Sequence, residues 1–339
     1  MRDIAERAGV SKNAVSLALR NDPQIGEATR ERIQALAEEM GYERNPVIGE
    51  VMAQMRTRGA GGCRMMLALV NANGDGRAFE RHPTIPKYVA GCERRAKALG
   101  YGLDRFWLHE EGMTGGSWLH MFEARGIQGV ILVGLMKQNR VPGFFHPVLD
   151  RMACVVTGVR TRKPALSFAC VDHHMLVLRA FEKALELGYA RPGLVLDPVI
   201  DGLVERRFSA GFLTGQQHLP EGCRLAPFFQ VSEARDDPVL FREWLRRERP
   251  DVIFTLYNDV RDWLGSAGLR VPEDVGLVQL EWRDGEPDWA GMNQHNDLAG
   301  EAAVDLLLNM IHHGERGVPP FPRATLIGAT WTDGVTVRG

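Results

Sequence analysis

Over residues 1–45 the apolar positions recur at helical spacing in three short groups. Ile4 and Ala8 lie one turn apart, Gly9 allows the chain to reverse, and Ser11 stands where a side-chain oxygen can cap the next helix. On that second helix Ala14, Val15, Ala18 and Leu19 fall on one stripe, with Val10 packing just before it, while Lys12, Asn13, Ser16, Leu17 and Arg20 fall on the other. A third helix follows, with Gly26 near its start, Glu27 at its positive end, and Ile33, Leu36, Ala37 and Met40 spaced to close a small core before Gly41. Two short helices joined by a tight turn predict a helix-turn-helix, in which one stripe packs and the other reads a duplex. Asn13 has the amide that pairs with adenine and Lys12 a cation for guanine or phosphate. Ser11, Ser16 and Arg20 suit the sugar-phosphate backbone, and Leu17 suits a thymine methyl. A three-helix bundle that binds another protein has the same periodicity, so spacing alone leaves that alternative open.

The pattern changes after residue 64. Met65 to Val70 is an apolar run of strand length, followed by a helix on which Val89, Cys92, Ala96 and Leu99 share a face and which Gly100 closes. Further strands are expected at 129–134, 153–158, 168–172, 192–196, 252–256 and 275–280, separated by helices at 176–188, 208–218, 239–249 and 298–313. Short, fully apolar strands alternating with amphipathic helices predict an α/β fold of parallel sheets covered by helices on both faces.

Such sheets bind ligands beyond the carboxyl ends of their strands. At those ends stand Asn71, Asn73, Asp75, Arg77 and Phe79; Asp172, His173 and His174; Tyr257, Asn258 and Asp259; and Glu281, Trp282 and Arg283. Polar forks beside aromatic faces suit a hydroxyl-rich small molecule such as a sugar, because each hydroxyl needs a partner and the ring faces need an apolar platform.

Composition narrows the classes. The 339 residues exceed one typical domain, and 41 Lys and Arg against 43 Asp and Glu leave a net charge of −2, so attraction for phosphate must come from cation placement rather than from the total. The cysteines Cys63, Cys92, Cys154, Cys170 and Cys223 show no pair at metal spacing and suit a reducing cytoplasm. No secretory leader is apparent, and apolar runs such as Val130 to Val133 are far too short to span a bilayer, so a cytoplasmic protein without membrane contact is expected. No Gly-x-Gly-x-x-Gly follows a strand, and no Gly-x-Ser-x-Gly elbow occurs. His109-Glu110-Glu111 lacks the second histidine of a zinc helix. Nothing here assembles a catalytic or metal-binding constellation, and no cofactor is expected.

The stretch from Asp3-Ile4-Ala5 through Val15-Ser16, with Thr29-Arg30, Ile33 and Gly41-Tyr42, resembles the DNA-binding head of the lactose-repressor/galactose-repressor family of bacterial transcription regulators. Residues 45–62, with Pro46 at a helix start, Val47, Val51 and Met55 at four-residue spacing, and glycines beyond, are similar to the family's hinge helix. The resemblance makes Val51, with Met52 beside it, the minor-groove wedge. Gly49 and Glu50 depart from the pattern, and a plain linker with a short packing helix remains the alternative. Gly188-Tyr189, Asn258-Asp259, the run from Gly268 to Val275, and Gln294 with Gly300 resemble the family's regulatory core, which is shared with periplasmic sugar-binding proteins. That implies two α/β subdomains crossed three times by the chain, with effector between them. By residue-to-residue match Asp172, Asn258, Glu281 and Gln294 contact effector, joined by Asn71, Asn73, Phe79 and Trp282 from the strand ends. The family's arginine falls at Phe208 here, with Arg207 one place earlier as its stand-in, which indicates a divergent ligand.

The resemblance implies a head at 1–45, a hinge and linker at 46–63, and a core at 64–339. The core divides into one subdomain at 64–190 and 293–325 and a second at 191–292 and 326–339. The implied protein is a homodimeric repressor that reads a palindromic operator in double-stranded DNA and responds to a carbohydrate effector. A soluble sugar sensor whose head binds protein is the alternative.

Overall fold

A computed structural model describes residues 2–19, 25–40, 65–136 and 138–339, so the expected hinge at 46–63 lies outside the described residues. The chain forms two compact units, residues 1–64 and 65–339.

In the first unit α1 (Arg2–Ala8), α2 (Lys12–Ala18) and α3 (Glu27–Glu39) enclose a small core. Gly9 adopts φ +64°, a conformation open to a residue without Cβ, and Val10 N–H donates back to Ala5 O at 3.0 Å. Ser11 then caps α2, its hydroxyl accepting from Ala14 N–H at 3.1 Å. Ile4, Val15, Ala18 and Ile33 are fully buried, with Leu19, Leu36 and Met40 packed against them. Two side chains of α3 tie down free carbonyls at the ends of the other helices: Arg32 donates to Ala8 O at 3.1 Å and Gln34 to Ala18 O at 3.0 Å.

The second unit contains two sheets. The first lobe comprises β1 (Met66–Asn71), α4 (Ala78–Arg81), α5 (Ile85–Ala98), β2 (Gly102–Trp107), α6 (Gly115–Ala124), β3 (Ile127–Val133), α7 (His146–Arg151), β4 (Ala153–Thr157) and β5 (Ser167–Val171). The chain then enters the second lobe with α8 (His173–Glu186), β6 (Pro192–Val195), α9 (Pro198–Leu203), α10 (Arg207–Gln216), α11 (Val231–Asp236) and α12 (Val239–Glu248). That lobe continues with β7 (Val252–Thr255), α13 (Asp259–Ser266), β8 (Gly276–Gln279) and β9 (Ala290–Asn293). It returns to the first lobe for α14 (Asn296–His312) and β10 (Ala324–Ile327), and crosses again to β11 (Thr330–Thr332).

The first sheet runs β10-β5-β4-β3-β1-β2, all parallel; the second runs β11-β9-β8-β7-β6, parallel except for β11. Each lobe carries two apolar clusters.

The expected α/β class, the parallel sheets and three lobe-to-lobe crossings are present. The first crossing, however, falls at Asp172 rather than at 190–191. Helix α8 presses Leu176, Val177, Ala180 and Phe181 into the second lobe's cluster with Leu194, Phe212 and Phe254, so it belongs to that lobe. Leu99, expected on the buried face of α5, is instead 36% exposed at the helix end.

Helices α5 and α14 meet at glycines. A Cβ on Gly300 would lie 2.2 Å from Tyr88 O, and one on Gly91 would lie 1.8 Å from Asp297 O, so the two backbones touch. Arg94 flanks the crossing with ion pairs to Asp297 at 2.8 Å and Glu301 at 2.6 Å. Gly300→Ala should destabilise the core by about 1–3 kcal/mol through overpacking. A urea midpoint that does not move would show that the helices separate without cost.

Candidate functional site

Helix α2 packs one stripe into the core of the head. Val15 and Ala18 are fully buried, Ala14, Leu17 and Leu19 are half-buried, and the capping residue Ser11 is exposed. The side chains of Lys12, Asn13 and Ser16, and all of Arg20, Val51 and Met52, lie outside the described residues. The backbone at Lys12, Asn13 and Ser16 is helical.

In the core, a cleft separates the carboxyl ends of the two sheets. It encloses a cavity of about 100 Å³ and opens to solvent at its mouth. The first lobe supplies Gly134 to Met136 after β3, Thr157 to Val159 around the end of β4, and His82, Thr84, Ile85 and Tyr88 around the start of α5. The second lobe supplies His173 after β5, Leu256 after β7, Glu281 after β8, Gln294 after β9, and Ile200, Val204 and Phe208 from α9 and α10. Its walls are mainly apolar, with a few polar groups among them.

Those polar groups are held in definite states. His82 Nδ1 accepts from Thr84 N–H at 3.1 Å and Ile85 N–H at 3.3 Å, which puts the ring proton on Nε2. Burial lowers the pKa of His82, outweighing the opposing pull of the Glu281 carboxylate. Glu281 is anchored by Arg283 at 3.1 Å and by Asn296 Nδ2 at 3.5 Å. Gln294 Nε2 donates to Leu280 O at 2.9 Å, which fixes the amide and leaves its oxygen as acceptor. Thr157 spends its hydroxyl on Ala169 O at 3.0 Å. His173 packs edge-on against Phe208, with ring centres 4.7 Å apart, and burial, aided by the Arg207 charge, depresses its pKa to about 3.

Among the described residues, five buried side-chain polar atoms lack a hydrogen-bond partner: Trp118 Nε1, His173 Nδ1, Trp282 Nε1, Arg283 Nε and Asn296 Oδ1. His173 lines the cleft. Trp282 and Arg283 follow Glu281 in the chain, and Asn296 is bonded to it. Unpaired buried polar atoms are rare and costly in folded proteins, so the His173 nitrogen in the cleft wall marks a point where a polar ligand could complete the bonding.

Of the nine side chains expected from sequence, Glu281 and Gln294 line this cleft. Asn71 instead organises the loop after β1, donating to Asp75 O at 3.0 Å and Gly76 O at 3.2 Å, while Asn73 accepts from Asp75 N–H at 2.9 Å. Phe79 is 6% exposed within the first lobe's core. Asp172 caps α8 by accepting from Met175 N–H at 3.2 Å, and Asn258 bridges Glu286 and Gln279. Trp282 packs against the second lobe's apolar cluster, and Arg207 lies in a separate pocket beside Glu205, 3.9 Å away. Sequence reasoning missed His82, Tyr88 and Phe208 as lining residues. His173 was within reach, because it directly follows a strand end.

The architecture is a helix-turn-helix head joined in one chain to a two-lobed core with a cleft between parallel sheets. Residues 1–45 match the family described as bacterial regulatory proteins, lacI family. Along its length the chain is 24% identical over 331 residues to the ribose operon repressor of Escherichia coli K12, covering 92% of each. It is 23% identical over 333 residues to the HTH-type transcriptional repressor CytR of the same strain, covering 92% of this chain and 89% of CytR. Among solved structures it resembles the lac repressor dimer bound to operator and the anti-inducer ONPF, at TM-score 0.60 and 18% identity over 99% of this chain and 98% of that one. It also resembles the transcriptional regulator CelR–cellobiose complex, at TM-score 0.58 and 20% identity over 98% of both. The family match thus covers the head, and the similarity to these repressors extends weakly along the rest of the chain.

The buried neutral imidazole of His173 makes a pH prediction. Its folded pKa of about 3 lies below the ordinary 6.5, so the unfolded chain takes the proton first. The stabilising contribution is therefore complete above about pH 6.5 and is lost as pH falls toward 3. Relative to His173→Gln, the wild type should lose about 2 kcal/mol of unfolding free energy between about pH 7 and 5. Parallel acid dependence in urea titrations of the two proteins would show that the ring is protonated in the fold.

Proposed function

We propose that this protein is a sequence-specific DNA-binding repressor. In this reading it acts as a homodimer in the cytoplasm on a palindromic operator, and a small carbohydrate bound between the core lobes sets its operator affinity. The carrying observation is that one chain joins a helix-turn-helix, whose second helix buries Val15 and Ala18, to a core whose cleft is lined by Glu281, Gln294 and a His173 with an unpartnered ring nitrogen. The solved relatives bound to operator DNA and to cellobiose support both halves of the reading.

In this account Lys12, Asn13 and Leu17 meet base edges, Ser11, Ser16 and Arg20 meet the backbone, and Val51 with Met52 meets the minor groove at the operator centre. Glu281 and Gln294 offer acceptors to ligand hydroxyls, His82 offers its Nε2–H, and Phe208 and Tyr88 flank the ring. The ligand shifts the population of lobe angles, and the paired heads follow.

Selection from random duplexes should return a two-fold symmetric site. On it, Asn13→Ala should lose about 1–3 kcal/mol at one base position, whereas Arg20→Ala should weaken all sequences alike. An asymmetric site, or two variants with the same profile, would overturn these roles. Affinity that ignores added salt would favour a head that binds protein. A thermal-shift screen of mono- and disaccharides, with cellobiose included, should raise the melting temperature of the wild type. The same compound should lose its effect on Glu281→Gln, and a full shift in that variant would remove Glu281 from the site.

A further inference from the structure

We propose that residues 198–208 form a clasp that sets the angle between the two lobes, with the Glu205 carboxylate as its latch; this rests on the reading of the cleft as the ligand site. By connection the segment belongs to the second lobe, yet Leu203 is 4% exposed inside the first lobe's apolar cluster with Val141, Val159 and Phe168. Leu203 O accepts from Asn139 Nδ2 at 2.6 Å, and the same amide nitrogen donates to Arg160 O at 2.6 Å. Two residues further, Glu205 receives Arg160 at 3.3 Å and Arg162 at 3.5 Å, both from the loop between β4 and β5. Three kinds of contact, apolar, amide and ionic, thus cross between the lobes within three residues.

The backbone that presents these groups is held under tension from its own lobe. Glu205 and Arg206 take φ of 58° and 59°, the left-handed region that side chains other than glycine disfavour. Asp201, 3% exposed, holds the turn: its carbonyl accepts from Arg206 N–H at 2.7 Å, and its carboxylate accepts from the Ser209 hydroxyl at 2.6 Å and amide at 3.2 Å.

The other side of the same segment forms the cleft wall through Ile200, Val204 and Phe208. A group in the cleft and the grip on the first lobe therefore act on one stretch of chain. Whatever shifts the wall strengthens or loosens the grip, and the grip in turn biases what the cleft accepts. The ionic part is suited to release, because Glu205 is 22% exposed and Arg160 and Arg162 are 43% and 58% exposed, so each pair is weak alone.

Hydrogen exchange followed by mass spectrometry on the full chain tests this. In Glu205→Gln and in Glu205→Gly, exchange should rise about tenfold or more in two places at once, residues 160–166 of the first lobe and 198–206 of the second, with α12 unchanged. About 1 M salt should reproduce the rise in the wild type. Glycine accepts the left-handed backbone, so Glu205→Gly removes the carboxylate without disturbing the turn. A rise confined to 198–206, or none in either place, would overturn the clasp and leave Glu205 a local turn residue. With cellobiose as probe, a wild-type protein that it stabilises should bind it with a Kd altered about threefold or more in Glu205→Gly, and an unchanged Kd counts against the coupling. A wild type indifferent to cellobiose and to other sugars counts against the carbohydrate reading instead, while the exchange pattern still decides the clasp.

Discussion

Parallel strands can be joined only by crossovers, so every parallel strand in each lobe ends on the same side of its sheet, and the loops that leave those ends are gathered in one place. The three passages of the chain between lobes, after β5, β9 and β10, bring the carboxyl ends of both sheets to a common cleft. Everything proposed for ligand response depends on that arrangement. The residues that line the cleft are far apart in sequence, from His82 to Gln294, and what unites them is position at the end of a strand or the start of the helix after it.

The cleft's chemistry follows from burial on its walls. His173 cannot carry a proton in its apolar setting, and His82 is committed to the amides that begin α5, so both imidazoles are neutral hydrogen-bonding groups. Among the described lining residues the one carboxylate, Glu281, is paired with Arg283. Phe208 adds an apolar face. Such a cleft favours an uncharged ligand with both hydroxyls and a flat apolar surface over an anion.

The apolar periodicity of the chain accounts for much of this fold. Strands buried on both faces, such as Val130 to Val133, read as continuous apolar runs, and the head's stripe of Val15 and Ala18 packs as its spacing requires. Strand β2 escaped notice because it lies at a sheet edge, half-exposed, with Asp104 and Arg105 in its middle. The strand-end loops were recognisable as a region, but individual roles were not. Asn71 and Asp172 have the polar groups a ligand would want, and the backbone claims them first for a turn and a cap. Tyr88 and Phe208 sit in amphipathic helices, where periodicity cannot distinguish a core side chain from one that faces a cleft.

In this reading, occupancy of the core cleft changes what the head does on DNA. Fluorescence anisotropy with the selected palindromic duplex, with and without a saturating sugar shown by calorimetry to bind the isolated protein, measures this directly. The operator Kd should change about tenfold or more with the sugar present, and the change should disappear in Glu281→Gln. The same Kd in both conditions, with the sugar demonstrably bound, would contradict it.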